Sequence, residues 1–124
     1  MQVKGSAMRI SEAAAESGLG VDTIRYYEAE GLVPKVVRGA DGQRAFSPEN
    51  VEWLTLLYWL RETGMPMRVM RQFAALYAKG DGTIAQRKAI LLEHADRLDQ
   101  RRRDLDRCAT ILNRKLEIYE EYLR

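Results

Sequence analysis

Val21-Asp22-Thr23-Ile24-Arg25-Tyr26-Tyr27-Glu28, closed by Gly31-Leu32-Val33-Pro34, is the stretch whose reading decides the fold. Successive residues of a helix advance by about 100°, so Asp22, Arg25, Tyr26 and Ala29 share one face, while Ile24, Tyr27 and, at the margin, Thr23 turn to the other. One face is polar and the opposite face is largely apolar. Upstream, Ile10 to Ser17 is rich in helix formers, and Gly18-Leu19-Gly20 forces a short turn, so the two segments predict a helix-turn-helix. Arginine satisfies both major-groove acceptors of guanine, aspartate accepts from the cytosine amino group, and tyrosine reaches a phosphate or a thymine methyl. The polar face therefore carries the chemistry that reads a DNA groove. The bland alternative is a solvated surface with an ordinary Asp and Arg.

Downstream, Lys35 to Arg38 and Arg44 to Phe46 flank Gly39-Ala40-Asp41-Gly42-Gln43, and Asp-Gly signals a tight hairpin turn, so a two-stranded β-hairpin wing is predicted there. Ser47-Pro48-Glu49 supplies an N-cap, a first-turn proline and a first-turn acid, starting a helix that Gly64 stops near Thr63. Val51, Leu54, Leu57 and Tyr58 form its apolar stripe. Pro66 opens a further helix with Val69, Met70, Phe73, Leu76 and Tyr77 on its core side, and residues 80–82, Gly-Asp-Gly, read as a linker.

Beyond the linker Ile84, Leu91, Leu98, Leu105, Leu112 and Tyr119 recur every seven residues. Four residues after each of the second through sixth come Ala95, Arg102, Ala109, Leu116 and Leu123, giving a coiled-coil seam with Arg102 as a polar interruption. A rod of about 60 Å is too long for the amino-terminal unit to cover, so a partner helix must bury it. The alternative is a lone helix held by surface ion pairs among residues 96–107. The domain reading is an extension over 1–7, a DNA-binding domain over 8–79, the linker over 80–82 and a dimerisation helix over 83–124.

Composition narrows the function. With 124 residues there is room for one DNA-binding unit and one further element. Twenty Lys and Arg against 18 Asp and Glu leave a net charge of +2, so attraction to nucleic acid must come from local charge such as Lys35, Arg38 and Arg44. Cys108 and His94 are single, which excludes an intrachain disulfide and leaves a four-ligand metal site without the Cys or His partners it needs. One His, one Cys and no Gly-rich phosphate loop give no catalytic constellation, so neither an enzyme nor a cofactor is expected. The chain carries no apolar run of membrane-spanning length and no signal-type segment at its start, and a cytoplasmic protein is expected.

Helix-turn-helix, basic wing, second helix pair and one long helix, in that order, resemble the MerR family of transcriptional regulators. The most specific residues are Thr23-Ile24-Arg25-Tyr26-Tyr27-Glu28 with Gly31-Leu32, and Gly42-Gln43-Arg44-Ala45-Phe46-Ser47. The resemblance implies a mainly α fold, a winged helix-turn-helix followed by a long antiparallel coiled-coil dimerisation helix. It implies a homodimer that binds a palindrome in double-stranded DNA and, in response to an effector, activates or represses by distorting the promoter on which RNA polymerase acts. Carried over by position, Asp22 and Arg25 would meet base edges, with Thr23 beside them. Tyr26, Tyr27, Arg38 and Arg44 would hold phosphates. Arg61, Arg68 and Arg71 fall where the family has a second wing. Family wings have tyrosines at the positions of Gln43 and Phe46, so Gln43 and its neighbours would grip phosphate less strongly. Gly20 stands where Ser or Thr usually caps the reading helix.

The effector is not written in the sequence. Metal-sensing members place cysteines around the long helix, whereas residues 80–91 have none, and aldehyde-responsive members place one in the helix after the wing, where residues 47–62 have none. Drug-sensing members add a carboxyl-terminal domain that is not expected here. Cys108, beside the seam, is a candidate thiol sensor, with packing as the alternative. A small organic effector is the remaining possibility, with Trp53, Tyr58, Trp59, Tyr77, Tyr119 and Tyr122 as candidate pocket walls. The competing reading is a coiled-coil interaction module without specific DNA binding.

Overall fold

In the computed structural model, which describes residues 7–34 and 36–124, five helices follow one another: α1 (Ile10–Ser17), α2 (Val21–Ala29), α3 (Pro48–Glu62), α4 (Met67–Ala78) and α5 (Ile84–Leu123). A short 3-10 turn at Asp81–Thr83 leads into α5. The chain divides into two compact units, the first ending at Arg87 and the second running over Lys88–Arg124. Apart from Ala7, the expected amino-terminal extension lies outside the described residues, as does Lys35.

In the first unit the turn between α1 and α2 is closed by Gly18 at φ +91°, with its N–H donating to the Ala14 carbonyl. A side chain there would be strained by the backbone and would also meet the Tyr58 ring of α3 at 3.2 Å, so glycine lets the turn lie flat on α3. After α2, Gly31 at φ +80° reverses the chain, and the Leu32 N–H reaches back to the Tyr27 carbonyl at 2.9 Å. Leu32 is thereby sunk into the core, and its own carbonyl accepts from the Trp53 indole at 2.8 Å.

Helix α3 begins as its sequence predicts. The Ser47 hydroxyl accepts from the Asn50 N–H and the Asn50 side chain accepts from the Ser47 N–H, so two orphan donors are satisfied at once. Ile24, Phe46, Leu54, Leu57 and Met70 are fully buried. Full burial of one such side chain contributes about 1.5–3 kcal/mol, so these residues hold α2, the wing exit, α3 and α4 on a common core.

The wing differs from the expectation. Its turn is present: Gly39 and Gln43 are bonded through the Gly39 N–H at 2.8 Å, and Ala45 donates to Val37 at 2.8 Å. Among the described residues, however, the arms form only an isolated antiparallel bridge, Arg38 to Arg44, and no continuous strands. Phe46 exchanges both backbone bonds with Met8, each at 2.7 Å, on the outer edge of the second arm, and buries its ring completely. The wing is thus flanked by the segment that precedes α1.

Residues 80–82, read as a linker, are hydrogen-bonded to the end of α4. The Thr83 hydroxyl lies 2.7 Å from the Leu76 carbonyl and 2.8 Å from that of Gly80. Helix α5 runs for 40 residues. Within it the acid-first pairs Glu93 with Arg97 (2.8 Å) and Asp99 with Arg103 (2.5 Å) sit at the i,i+4 spacing that favours a helix. Arg102, the polar seam position, lies 3.8 Å from Asp99. Every residue from Arg101 to the end is exposed on the single chain.

Candidate nucleic-acid interface

Helix α2 presents the faces that its periodicity predicts. Asp22, Arg25 and Tyr26 are exposed and Thr23 is half-buried, while Ile24 and Tyr27 are in the core. Arg25 and Asp22 approach to 3.7 Å across one turn, with the Asp22 side chain fully open. An ion pair this exposed is weak, so exchanging the carboxylate for a base edge costs little. Tyr27, which the resemblance places at a phosphate, is only 4 % exposed. Burial pushes its phenol up from the ordinary range, and the nearby Arg61 charge opposes that rise.

Three arginines from three different segments converge on α2. Arg44, from the wing, lies 2.7 Å from Glu28 with both side chains largely covered, close in distance but off the hydrogen-bonding direction. Arg71, from α4, pairs with Glu30 at 3.0 Å. Arg61, at the end of α3, acts on Tyr27 and donates to the Met65 carbonyl at 3.5 Å. Arg68 is exposed on the first turns of α4. Arg38 and Arg44 line one depression with Glu28, Val33, Pro34 and Val36. Arg38 also donates to the Gly42 carbonyl across the wing turn at 2.8 Å, which holds its guanidinium at the rim.

Two groups of residues at this surface escape the sequence pattern. Glu28 and Glu30 anchor basic residues from the wing and from α4 onto the reading helix. Arg9, just before α1, reaches the wing tip and pairs with Asp41 at 2.5 Å. Asp41 also accepts from the Gln43 N–H, so Gln43 is held through its backbone while its side chain stays exposed. The Gln43 bond, followed by Arg9, holds the Asp41 carboxyl below the ordinary carboxylate range. No local signal marks these pairs, because their partners are distant in sequence.

The candidate aromatic walls do not form one cavity within the described chain. Trp53 and Tyr77 stack at 4.2 Å and line a cavity together. Trp59 lines a different one and meets Tyr58 edge-on. Tyr119 and Tyr122 are exposed on α5. Cys108 is exposed on the single chain, so nothing in its own chain supplies the packing considered for it. Ile84, Leu105, Leu112, Leu116 and Tyr119 of the seam are each more than half exposed, and Leu91 and Leu98 are half-buried.

A polar α2 face on a helix-turn-helix, framed by arginines, defines a DNA-binding protein. Comparison with known proteins specifies the kind. Residues 8–76 match the MerR HTH family regulatory proteins and residues 51–114 the MerR DNA-binding region. An uncharacterized HTH-type transcriptional regulator of Haemophilus influenzae is 32 % identical over 111 residues, 90 % of this chain and 82 % of that protein. The crystal structure of HiNmlR, described as a MerR family regulator lacking the sensor domain and bound to promoter DNA, superposes with a TM-score of 0.81. It is 31 % identical, over 93 % of this chain and 91 % of that one. A MerR family regulator from Listeria monocytogenes gives the same TM-score at 30 % identity, over 92 % and 86 % of the two chains. The chain belongs to the MerR family and is a DNA-binding transcriptional regulator.

Proposed function

We propose that this regulator works as a homodimer on a palindromic promoter site, distorting the DNA for RNA polymerase in response to an effector. The observation that carries the dimer is the open seam of α5: Leu105 is 70 % exposed, Leu112 57 % and Leu116 59 %, a stripe that one chain leaves in water. A two-fold pair of α5 helices covers that stripe and links two reading heads, as a palindrome requires. Asp22 and Arg25 read bases, with Thr23 at the edge of the contact. Tyr26, Tyr27, Arg38, Gln43, Arg44, Arg61 and Arg68 hold the backbone. No described helix is long and apolar enough to cross a membrane, and the cytoplasm is the compartment proposed.

HiNmlR, at 31 % identity, is a neighbour described as bound to promoter DNA, which supports the promoter as target. Footprinting on the region upstream of the protein's own gene, at several stated salt concentrations, tests the proposal. A protected two-fold symmetric site is the expected result. Protection of one half-site by a monomer, or none distinguishable from random DNA, would defeat it.

A further inference from the structure

Under the exit of α2 lies a cavity of about 500 Å³, within the size range of small-molecule sites. Its apolar wall is Leu32, Val33, Trp53, Ala74 and Tyr77, and its polar end is Arg87 with Asp81. Arg87 is held in place without a carboxylate. Its Nε donates to the Thr83 hydroxyl at 3.0 Å, one terminal nitrogen donates to the Gly80 carbonyl at 3.2 Å, and the guanidinium lies 5.2 Å from the Tyr77 ring centre. Among the described residues no ion pair neutralises it, and its remaining N–H groups are unspent. A fixed, half-buried guanidinium closing an apolar cavity is the arrangement that selects an anion with an apolar body.

We infer that this cavity binds a small organic monocarboxylate with a one- or two-ring apolar body, its carboxylate on the free edge of Arg87 and its rings against Leu32, Val33 and the Trp53–Tyr77 pair. Asp81 faces the same space, so the ligand carries a single negative charge and keeps it on the Arg87 side. The site joins three parts of the fold: the Gly31–Pro34 exit of the reading helix, the aromatic pair of α3 and α4, and the first turn of α5. An occupant therefore touches both the reading helix exit and the start of the long helix. The assignment of this ligand as effector rests on the proposed effector response; the binding site itself does not.

The test uses the full-length Trp59→Phe protein, in which Trp53 is the sole tryptophan, titrated with 1-naphthoate, its neutral amide and the corresponding naphthylmethylammonium cation. The expected result is a saturable Trp53 fluorescence change with naphthoate and about tenfold or more weaker binding of the amide, as a charge-assisted contact requires. Arg87→Met should lose that preference, Arg87→Lys should retain part of it, and Asp81→Asn should tighten naphthoate binding. A cation that binds better than the carboxylate, equal binding of acid and amide, or no saturable change with any probe would overturn the inference. Operator binding is measured in parallel on the same proteins. Loss of probe binding with intact operator recognition refutes the site alone, and probe binding without operator recognition refutes the functional reading alone. Probe binding that leaves operator recognition and promoter output unchanged refutes only the effector assignment.

Discussion

Replacing Leu105 by Asp probes the proposed dimer where it is most sensitive. If two copies of a helix spanning Ile84–Leu123 pair antiparallel and in register, their crossing falls between residues 103 and 104. The two Leu105 side chains then lie about 5 Å apart along the axis, close enough to pack on each other. Leu105 is 70 % exposed on the single chain. Full burial of a leucine is worth about 1.5–3 kcal/mol, so covering the open part contributes about 1–2 kcal/mol per protomer and about 2–4 kcal/mol per dimer. Loss of that amount raises the dimer dissociation constant by about 30- to 1000-fold before repulsion between the facing carboxylates is added. Sedimentation equilibrium over a dilution series measures the constant, with Leu92→Asp as the control. Leu92 is 55 % exposed but lies off the seam. An equal effect of the two substitutions, or an unchanged dimer in Leu105→Asp, would refute the heptad reasoning.

Arg25→Ala should cost about 1–3 kcal/mol on the specific site and relax preference at one base position per half-site, as measured by competition against single-base variants. Arg38→Ala should instead weaken binding to every sequence and lower the slope of log affinity against log salt by about one unit for each phosphate no longer neutralised. Asp41 has its folded carboxyl lowered, so its anchoring of the wing tip is present in full above the ordinary carboxylate range. That anchoring should fade as pH falls through the lower, folded value. Chemical shifts of Gly42 and Gln43 followed from neutral to acid pH should move in that window, and Asp41→Asn should abolish the movement. Cys108→Ser should keep operator affinity, because the thiol is exposed and far in sequence from the reading helix. Promoter activation by electrophiles that vanishes in Cys108→Ser while DNA binding survives would make it the sensor.

The sequence alone determined much of what repeats at the period of a helix, although the α3 stripe read from it missed Trp53 and Leu60, both buried, and included Val51 and Tyr58, which are half-buried. Ile24 and Tyr27 inward with Asp22, Arg25 and Tyr26 outward, the Ser47 cap and the seven-residue stripe of α5 depend on neighbours within a turn or two of the same helix, where spacing fixes direction. Tertiary structure decided how the wing is held. Met8 pairs with Phe46 along the outer edge of the wing, Arg9 meets Asp41 across 32 positions and Arg71 meets Glu30 across 41. The same holds for Arg44 on Glu28 and for the cavity that gathers Leu32, Trp53, Tyr77 and Arg87. These groups carry no shared local pattern, since each side chain alone is compatible with an ordinary solvated surface. Only burial of the common core brings their segments within reach, and only then does a charge find one partner rather than water.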